Sequence, residues 1–361
     1  MASTPSALIP CGQFKTGYRK DTTIFPTPAA RAFAIAAVVL LCLLPMKIGG
    51  VELLSKYQMN LLIQIGYYGI AALGLNILVG FTGQISLGHA AFFGFGAFAS
   101  AWLNNSFGVP VFWAIPLAGV LTTLVGLLFG IPAARIKGLY LAIATFAAQF
   151  ILEDFFSRAN WFTGGSAGTM AQPFSLFGYE IDGDHGYFYV VLAYVVVLYL
   201  LGTNLMRSRD GRAFVAVRDH YLSAEVMGIN LTHYRVLSFG VSAFYAGIGG
   251  ALFGHYLGYV SAESFTILLS IQFLGMIIIG GLGSVMGTLL GVAFMVLLPE
   301  GIGMLSKSVG GVFPAMVEGL AFVKEGAIGL VIVLFLIFEP DGLAHRWKMI
   351  KAYWKLYPFS Y

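Results

Sequence analysis

The sequence predicts an all-α polytopic membrane protein with about ten transmembrane helices, several of them short or broken. Two observations carry this expectation. Hydrophobic residues fill 58% of the 361 positions and charged residues only 10%, whereas a soluble domain carries about a quarter charged residues to clothe its surface. Long apolar stretches also recur along the whole chain, at 32–46, 57–79, 87–103, 109–133, 138–152, 186–206, 235–257, 266–281, 284–299 and 326–338. They cannot all be interior helices of one water-soluble fold, so the bilayer supplies the missing solvent.

The first stretch, Ala32 to Met46, follows a long polar lead without a small-residue cleavage pattern, so it reads as a span rather than a removable signal. Lys15, Arg19, Lys20 and Arg31 hold residues 1–31 on the cytoplasmic side. A span needs about 20 residues, and several of the later stretches are shorter. These must tilt, extend into their flanks, or form broken helices buried in the bundle. Glycine, with 46 residues, permits close helix approach in lipid and recurs where transporter helices break. An apolar run, a glycine cluster and a second run occur at 57–103 and again at 266–299. That pattern reads either as two related halves or as the general glycine enrichment of spans.

Charge sets the orientation, because positive residues concentrate in short cytoplasmic loops. Ten crossings starting inside place Arg135 and Lys137 in the cytoplasm, with the 207–235 loop (Arg207, Arg209, Arg212, Arg218, Arg235) and the tail (Arg346, Lys348, Lys351, Lys355). The 153–184 loop, where Glu153, Asp154, Glu180, Asp182 and Asp184 outnumber Arg158, falls outside. Both termini are then cytoplasmic, and the chain divides into a segment 1–31, a transmembrane domain 32–345 and a tail 346–361. The formal charge of +4 is small for a nucleic-acid binder, so membrane lipid is the expected surround and no nucleic acid is. Cys11 and Cys42 are too few for a disulfide scaffold or a metal cluster, and Cys42 packs within an apolar run.

Three segments are candidates for function. Between Gly80 and His89, polar groups and glycines separate two apolar runs with no charge to anchor them in a loop. Non-helical backbone at the membrane must be buried in protein or line a water-filled cavity. Gly80, Gly83 and Gly88, with Thr82, Gln84 and Ser86, are therefore candidates for a translocation pathway that binds a polar or zwitterionic small-molecule solute; a tight turn at the membrane face is the plain alternative. Asn76, one turn earlier, can line the same pathway or bond between helices, and His89 reads as a structural hydrogen-bonding residue. In the outer loop, Thr163, Gly164, Gly165 and Ser166 make a flexible hydrogen-bonding turn suited to contact solute or a delivering partner. From Gly211 to Gly228, Phe214, Val217, Tyr221 and Leu222 recur at helical spacing and predict a short amphipathic helix stopped at Gly228. Its mixed charges, Arg218, Asp219 and Glu225, suit a protein contact better than acidic lipid.

Several strings, in order, resemble a known family. GLNILVGFTGQISLGHAAFFGFGAFASAWL ending at Leu103, TGGSAG at 163–168, GRAFVAVRDHYLSAEVMGIN at 211–230, LSFGVSAFYAGIGGALFG at 237–254, IIIGGLGSVMGTLLG at 277–291 and FEPDGL beginning at Phe338 look like the LivM-type permease of branched-chain amino-acid ABC importers. The resemblance covers residues 57–345. It implies an ABC-importer permease fold in a bacterial inner membrane, in complex with a LivH-like permease, two cytoplasmic ATPase subunits and a periplasmic solute-binding protein. It also implies that 211–228 is the ATPase-coupling helix, with Gly211, Ala216, Arg218, Asp219, Glu225 and Gly228 in that role. The glycine-rich strings at 80–88 and 279–287, with Gly280, Gly281 and Gly283, would shape the pathway. Family patterns commonly have an acidic pair where this chain reads Asp219-His220, a departure that bears on partner choice.

The resemblance implies no cofactor in this chain and places ATP and Mg2+ in the ATPase subunits. In agreement, the chain lacks a glycine-rich phosphate loop ending in Lys-Ser or Lys-Thr, and no bond chemistry of its own is expected. Branched-chain or other apolar amino acids are the implied solutes, with urea, short amides or aromatic acids as alternatives. An ion-coupled secondary transporter would place ionisable residues inside its spans, and those interiors here are almost free of them. A membrane-embedded metalloenzyme would need clustered ligands, whereas His89, His220, His233 and His255 have no metal-site spacing.

Overall fold

A computed structural model describes residues 28–45, 47–48, 51–52, 54–136, 138–176, 179–181, 183–309 and 320–356. Residues 1–27, with Cys11, Lys15, Arg19 and Lys20, and also Lys137 and Asp182, lie outside that set. Each of the ten apolar stretches carries a helix: α1 (Pro28–Leu43), α2 (Lys56–Asn76) continued by a π turn (Ile77–Phe81), α3 (His89–Phe107), α4 (Val111–Ala133), α5 (Leu139–Arg158), α7 (Asp184–Arg207), α10 (Leu231–Leu257), α11 (Ile267–Gly280), α12 (Val285–Val309) and α13 (Leu320–Phe338). Between them lie the short α6 (Asn160–Thr163), α8 (Arg209–Asp219) and α9 (Tyr221–Val226), and α14 (Gly342–Leu356) follows. Strand structure among the described residues is confined to two-residue antiparallel pairs such as Thr169–Met170 with Tyr259–Val260.

Six helices are long and apolar enough to cross a membrane: α2 with its π turn, α4, α5, α7, α10 and α12. A seventh arises if α13 and α14, bent by 50° at their junction, count as one span. Six or seven of the ten expected spans thus meet the requirement by length and composition alone. The reason is physical in each case. α11 has 14 residues, about 21 Å at 1.5 Å per residue, against a hydrocarbon core of about 30 Å. The apolar part of α1, Arg31–Leu43, is shorter still, and α3 is diluted by His89, Ser100, Asn104, Asn105 and Ser106.

Contacts sort the connections onto two ends. At one, Arg235 Nη1 donates to the Ala134 carbonyl at 3.2 Å, Leu78, Ala133, Leu141 and Phe239 form an apolar cluster, and Gly281 lies against Asp341. At the other, Asn105 Nδ2 donates to the Met170 carbonyl at 2.8 Å, Tyr189 donates to the Cys42 carbonyl at 3.0 Å, and Thr169 pairs with Val260. Arg135, Arg207, Arg209, Arg212 and Arg218 lie on connections at the first end and outnumber Asp210, Asp219 and Glu225 there, whereas Glu153, Asp154, Asp184 and Glu263 at the second outnumber Lys56 and Arg158. This is the partition of basic and acidic connections that the charge pattern predicts.

α10 is the central element and packs against α2, α3 and α4. The approach is close because the facing residues are small. A Cβ at Gly250 would overlap the Phe93 carbonyl of α3, and one at Gly96 would overlap the backbone of Gly247. α4 shows the same rule across its two faces. Ala114, Ala118, Thr122, Gly126 and Gly130 are buried toward α10, while Leu117, Val120, Leu124, Leu128 and Ile131 point outward. In lipid, small residues make the interface and large apolar ones face the acyl chains, because hydrophobicity no longer distinguishes inside from outside.

Candidate functional site

The chain leaves helical geometry between α2 and α3. The π turn shifts the last carbonyls of the helix out of register, and Gly83, at φ +70°, turns the backbone in a conformation that side chains disfavour. Helix ends leave carbonyls without intrahelical partners, and each must be met at this depth. The Leu78 carbonyl accepts from Gln84 N at 3.1 Å and from Thr82 Oγ1. The Val79 carbonyl accepts from Gly83 N at 3.1 Å. That of Gly80 accepts from a distant side chain, Arg218 Nη1, at 2.7 Å.

The start of α3 is satisfied from other helices. Leu87 N donates to Thr145 Oγ1 at 3.0 Å and Ala91 N to Gln149 Oε1 at 2.9 Å, both from α5. Ala90 N donates to Ser270 Oγ of α11 at 2.9 Å, and Gln149 Nε2 donates to the Phe265 carbonyl at 2.6 Å. His89 Nε2 bonds the Ala71 carbonyl at 2.8 Å, a structural link from α3 to α2. Gln84 Nε2 donates to Ser238 Oγ of α10 at 2.7 Å, and a Cβ at Gly88 would sit 2.5 Å from the Thr145 carbonyl. Most polar groups of this first break are therefore committed to other helices, while Gln84 Oε1 and Ser86 Oγ are buried without a hydrogen-bond partner.

The second break, between α11 and α12, lies directly against the first. Gly281 and Gly283 turn it at φ +109° and +75°. Asn76, buried at the end of α2, clamps it: Nδ2 donates to the Ser284 carbonyl at 3.0 Å and to Thr288 Oγ1 at 2.6 Å. Its Oδ1 accepts from Gly283 N at 2.9 Å. A Cβ at Gly80 would overlap Asn76 Oδ1, and one at Gly280 would overlap the Gly287 carbonyl. Asn76, Gly80 and Gly83 are thus brought together with Gly283, while Thr82 and Gln84 turn to Ser238 of α10 and Gly280 and Gly281 pack on Gly287 and Asp341. The helix–break–helix pattern at 57–103 and 266–299 becomes two units docked at their breaks.

Thr163, Gly164, Gly165 and Ser166 sit at the opposite, acidic end and do not meet this site. Thr163 is buried, with Oγ1 donating to the Phe156 carbonyl at 2.6 Å and accepting from Gly165 N at 3.1 Å. Gly164 and Ser166 are exposed, and Tyr259 OH donates to the Ala167 carbonyl to brace the turn.

The stretch 211–228 forms two helices where one was predicted. Ser208 caps α8 by accepting from Asp210 N and Gly211 N, and the chain breaks at His220, at φ −148° and ψ 82°, before α9 begins. Phe214 and Val217 are buried, and Phe214 packs edge-on against Tyr234 of α10, centroids 6.0 Å apart. The break at His220 turns Tyr221 and Leu222 off that face, so both are exposed. Gly211 is buried against the Met206 carbonyl, Ala216 is half-buried, and Glu225 and Gly228 are exposed, Gly228 ending α9 at φ +86°. Leu222, Val226 and Met227 stand outward with 63%, 87% and 82% of their surface exposed. Beside them a cleft of about 530 Å³ is lined by Ala134, Arg135, Glu225, Gly228, Asn230 and Arg235.

Thr145, Gln149, Ser238, Ser270, Ser284 and Thr288 were not singled out from sequence. The available signal was a polar side chain inside or beside an apolar run; its partner, on another helix, was not readable. Among the described residues, no three His, Cys, Asp or Glu side chains gather into a metal site.

Residues 57–336 match the family described as branched-chain amino acid transport system / permease component. The chain is 30% identical over 328 residues to the high-affinity branched-chain amino acid transport system permease protein LivM of Salmonella typhimurium, covering 84% of this chain and 74% of that one. It is 31% identical over 300 residues to LivM of Escherichia coli, covering 76% and 67%. Similarity extends to a probable branched-chain amino acid transport permease protein LivH of Methanocaldococcus jannaschii, 27% identical over 78% of this chain and 90% of that one. No solved structure matches the chain.

Proposed function

Because this chain belongs to the branched-chain amino-acid transport permease family, we propose that it is the LivM-like subunit of an ATP-driven importer for branched-chain or related amino acids. That it is a multi-pass membrane permease subunit follows from the family; the finer reading adds the assembly around it. A LivH-like permease completes the pathway, two ATPase subunits dock at the basic end, and a solute-binding protein delivers to the acidic end that carries Gly164 and Ser166. The positive-inside rule puts the basic end in the cytoplasm of a bacterial inner membrane.

The observation that carries the docking assignment is the apolar tip of α9. Leu222, Val226 and Met227 are exposed beside Glu225 and the arginine-lined cleft; an exposed apolar patch rimmed by charge marks a protein or membrane contact, and the mixed charges favour a protein. ATP-driven closure of the partners would move α8 and α9 and alternate the exposure of a pathway shaped by the two breaks. With the amides at the start of α3 occupied by Thr145, Gln149 and Ser270, solute contacts fall to surfaces shared with the second permease.

The test is purification with the neighbouring subunits, reconstitution, and ATPase assay with the binding protein and candidate solutes. Stimulation by leucine, isoleucine or valine supports the reading in full. Stimulation by urea, amides or aromatic acids instead reassigns the solute. Transport by this chain alone on an ion gradient, with no ATPase retained, refutes it.

A further inference from the structure

Arg218 lies on α8 with 36% of its side chain exposed, and its guanidinium reaches the two helix breaks. Nη1 donates to the Gly80 carbonyl at 2.7 Å, and Asp219 Oδ1 holds Nε at 2.8 Å. The aliphatic stem lies on the first break, since a Cβ at Gly83 would sit 3.0 Å from Arg218 Cγ. The guanidinium also borders the second break, since a Cβ at Gly283 would sit 3.1 Å from Nη1 and 3.2 Å from the Gly80 carbonyl. From Gly80 the path continues through Asn76, which bonds Gly283, Ser284 and Thr288. Every step is a direct contact between named groups. The first is a charge-assisted hydrogen bond, which is short and directional and does not slide as an apolar contact can.

Both breaks turn on glycines at positive φ, Gly83 in one and Gly281 and Gly283 in the other. A few such residues suffice to absorb the backbone rotation of a hinge. A force on the Gly80 carbonyl therefore moves the first break, and the Asn76 clamp obliges the second to follow.

We propose that Arg218 is a positioning residue that transmits movement of α8 and α9 to both helix breaks, and that it is not part of the surface offered to the ATPase. This rests on the importer reading above and sharpens it, because it separates docking residues from transmitting ones. Asp219 serves by fixing the guanidinium.

The experiment uses the full reconstituted complex with R218A and R218Q, reading three quantities: ATPase retained on purification, ATP hydrolysed, and solute moved per ATP. The expected result is wild-type ATPase retention and hydrolysis with about a tenfold fall in solute moved per ATP, the size associated with losing one charge-assisted hydrogen bond. R218Q, which keeps a donor and much of the stem, should fall less and guards against failure of R218A to insert. A wild-type ratio of solute to ATP in whichever variants insert overturns the proposal. So does loss of ATPase retention, which would make Arg218 a docking contact. A wild-type chain that retains no ATPase removes the importer reading itself, an outcome distinct from either.

Discussion

Substitution N76A tests whether the two breaks are held together by one buried amide. Asn76 makes three hydrogen bonds across 207 to 212 residues of sequence. After truncation the Ser284 carbonyl keeps its bonds from Thr288 N and Thr288 Oγ1, both at 3.0 Å, so the main loss falls on Gly283 N–H. An amide left without an acceptor costs about 1–3 kcal/mol. Interhelical side-chain bonds in membrane proteins average about 0.6 kcal/mol and reach about 1.7, so about 2 kcal/mol is expected for N76A. Equilibrium unfolding in mixed micelles measures it, and a double-mutant cycle with T288V should return a coupling of about 0.5–1.5 kcal/mol. N76D should be worse than N76A, because it sets a carboxylate against the Ser284 carbonyl in a buried site. N76A within about 0.5 kcal/mol of wild type, a surface-substitution value, together with zero coupling to Thr288, would refute the clamp.

Three further outcomes follow from the packing. G250A should abolish folded protein in detergent, since its Cβ would overlap the Phe93 carbonyl, whereas G301A, with nothing within 4 Å, should be neutral by the same chromatographic yield. Q149A removes partners from Ala91 N, Ser270 Oγ and the Phe265 carbonyl and should destabilise by about 3 kcal/mol or more in the mixed-micelle assay, three unmet groups at about 1–3 kcal/mol each. On the proposed docking assignment, V226D with M227D should cut co-purification with the ATPase about tenfold, while leaving unfolding unchanged because both side chains are exposed.

The helices were legible because a segment in lipid must satisfy its own backbone, which makes apolar length the governing signal. All ten apolar stretches are helical, and the interruptions at 80–88 and 281–284 mark real breaks. The number of full spans was less legible. Length alone does not tell whether a short apolar helix such as α11 crosses or ends inside. Likewise, the period that linked Phe214 and Val217 to Tyr221 and Leu222 assumed a continuous helix, and the turn at His220 broke it.

By itself, the sequence determined that this is a helical membrane protein with basic connections at one end, acidic ones at the other, and two glycine-rich breaks. Those properties follow from composition and local chemistry. Only the tertiary structure decided which face of α4 meets α10, because both faces are apolar and lipid gives no polar stripe to read. It alone decided that Asn76, buried, would meet Gly283 and that Arg218 would bond the Gly80 carbonyl. A buried polar group inside a membrane protein takes its meaning from a partner on another helix, and that partner can lie more than a hundred residues away in the chain.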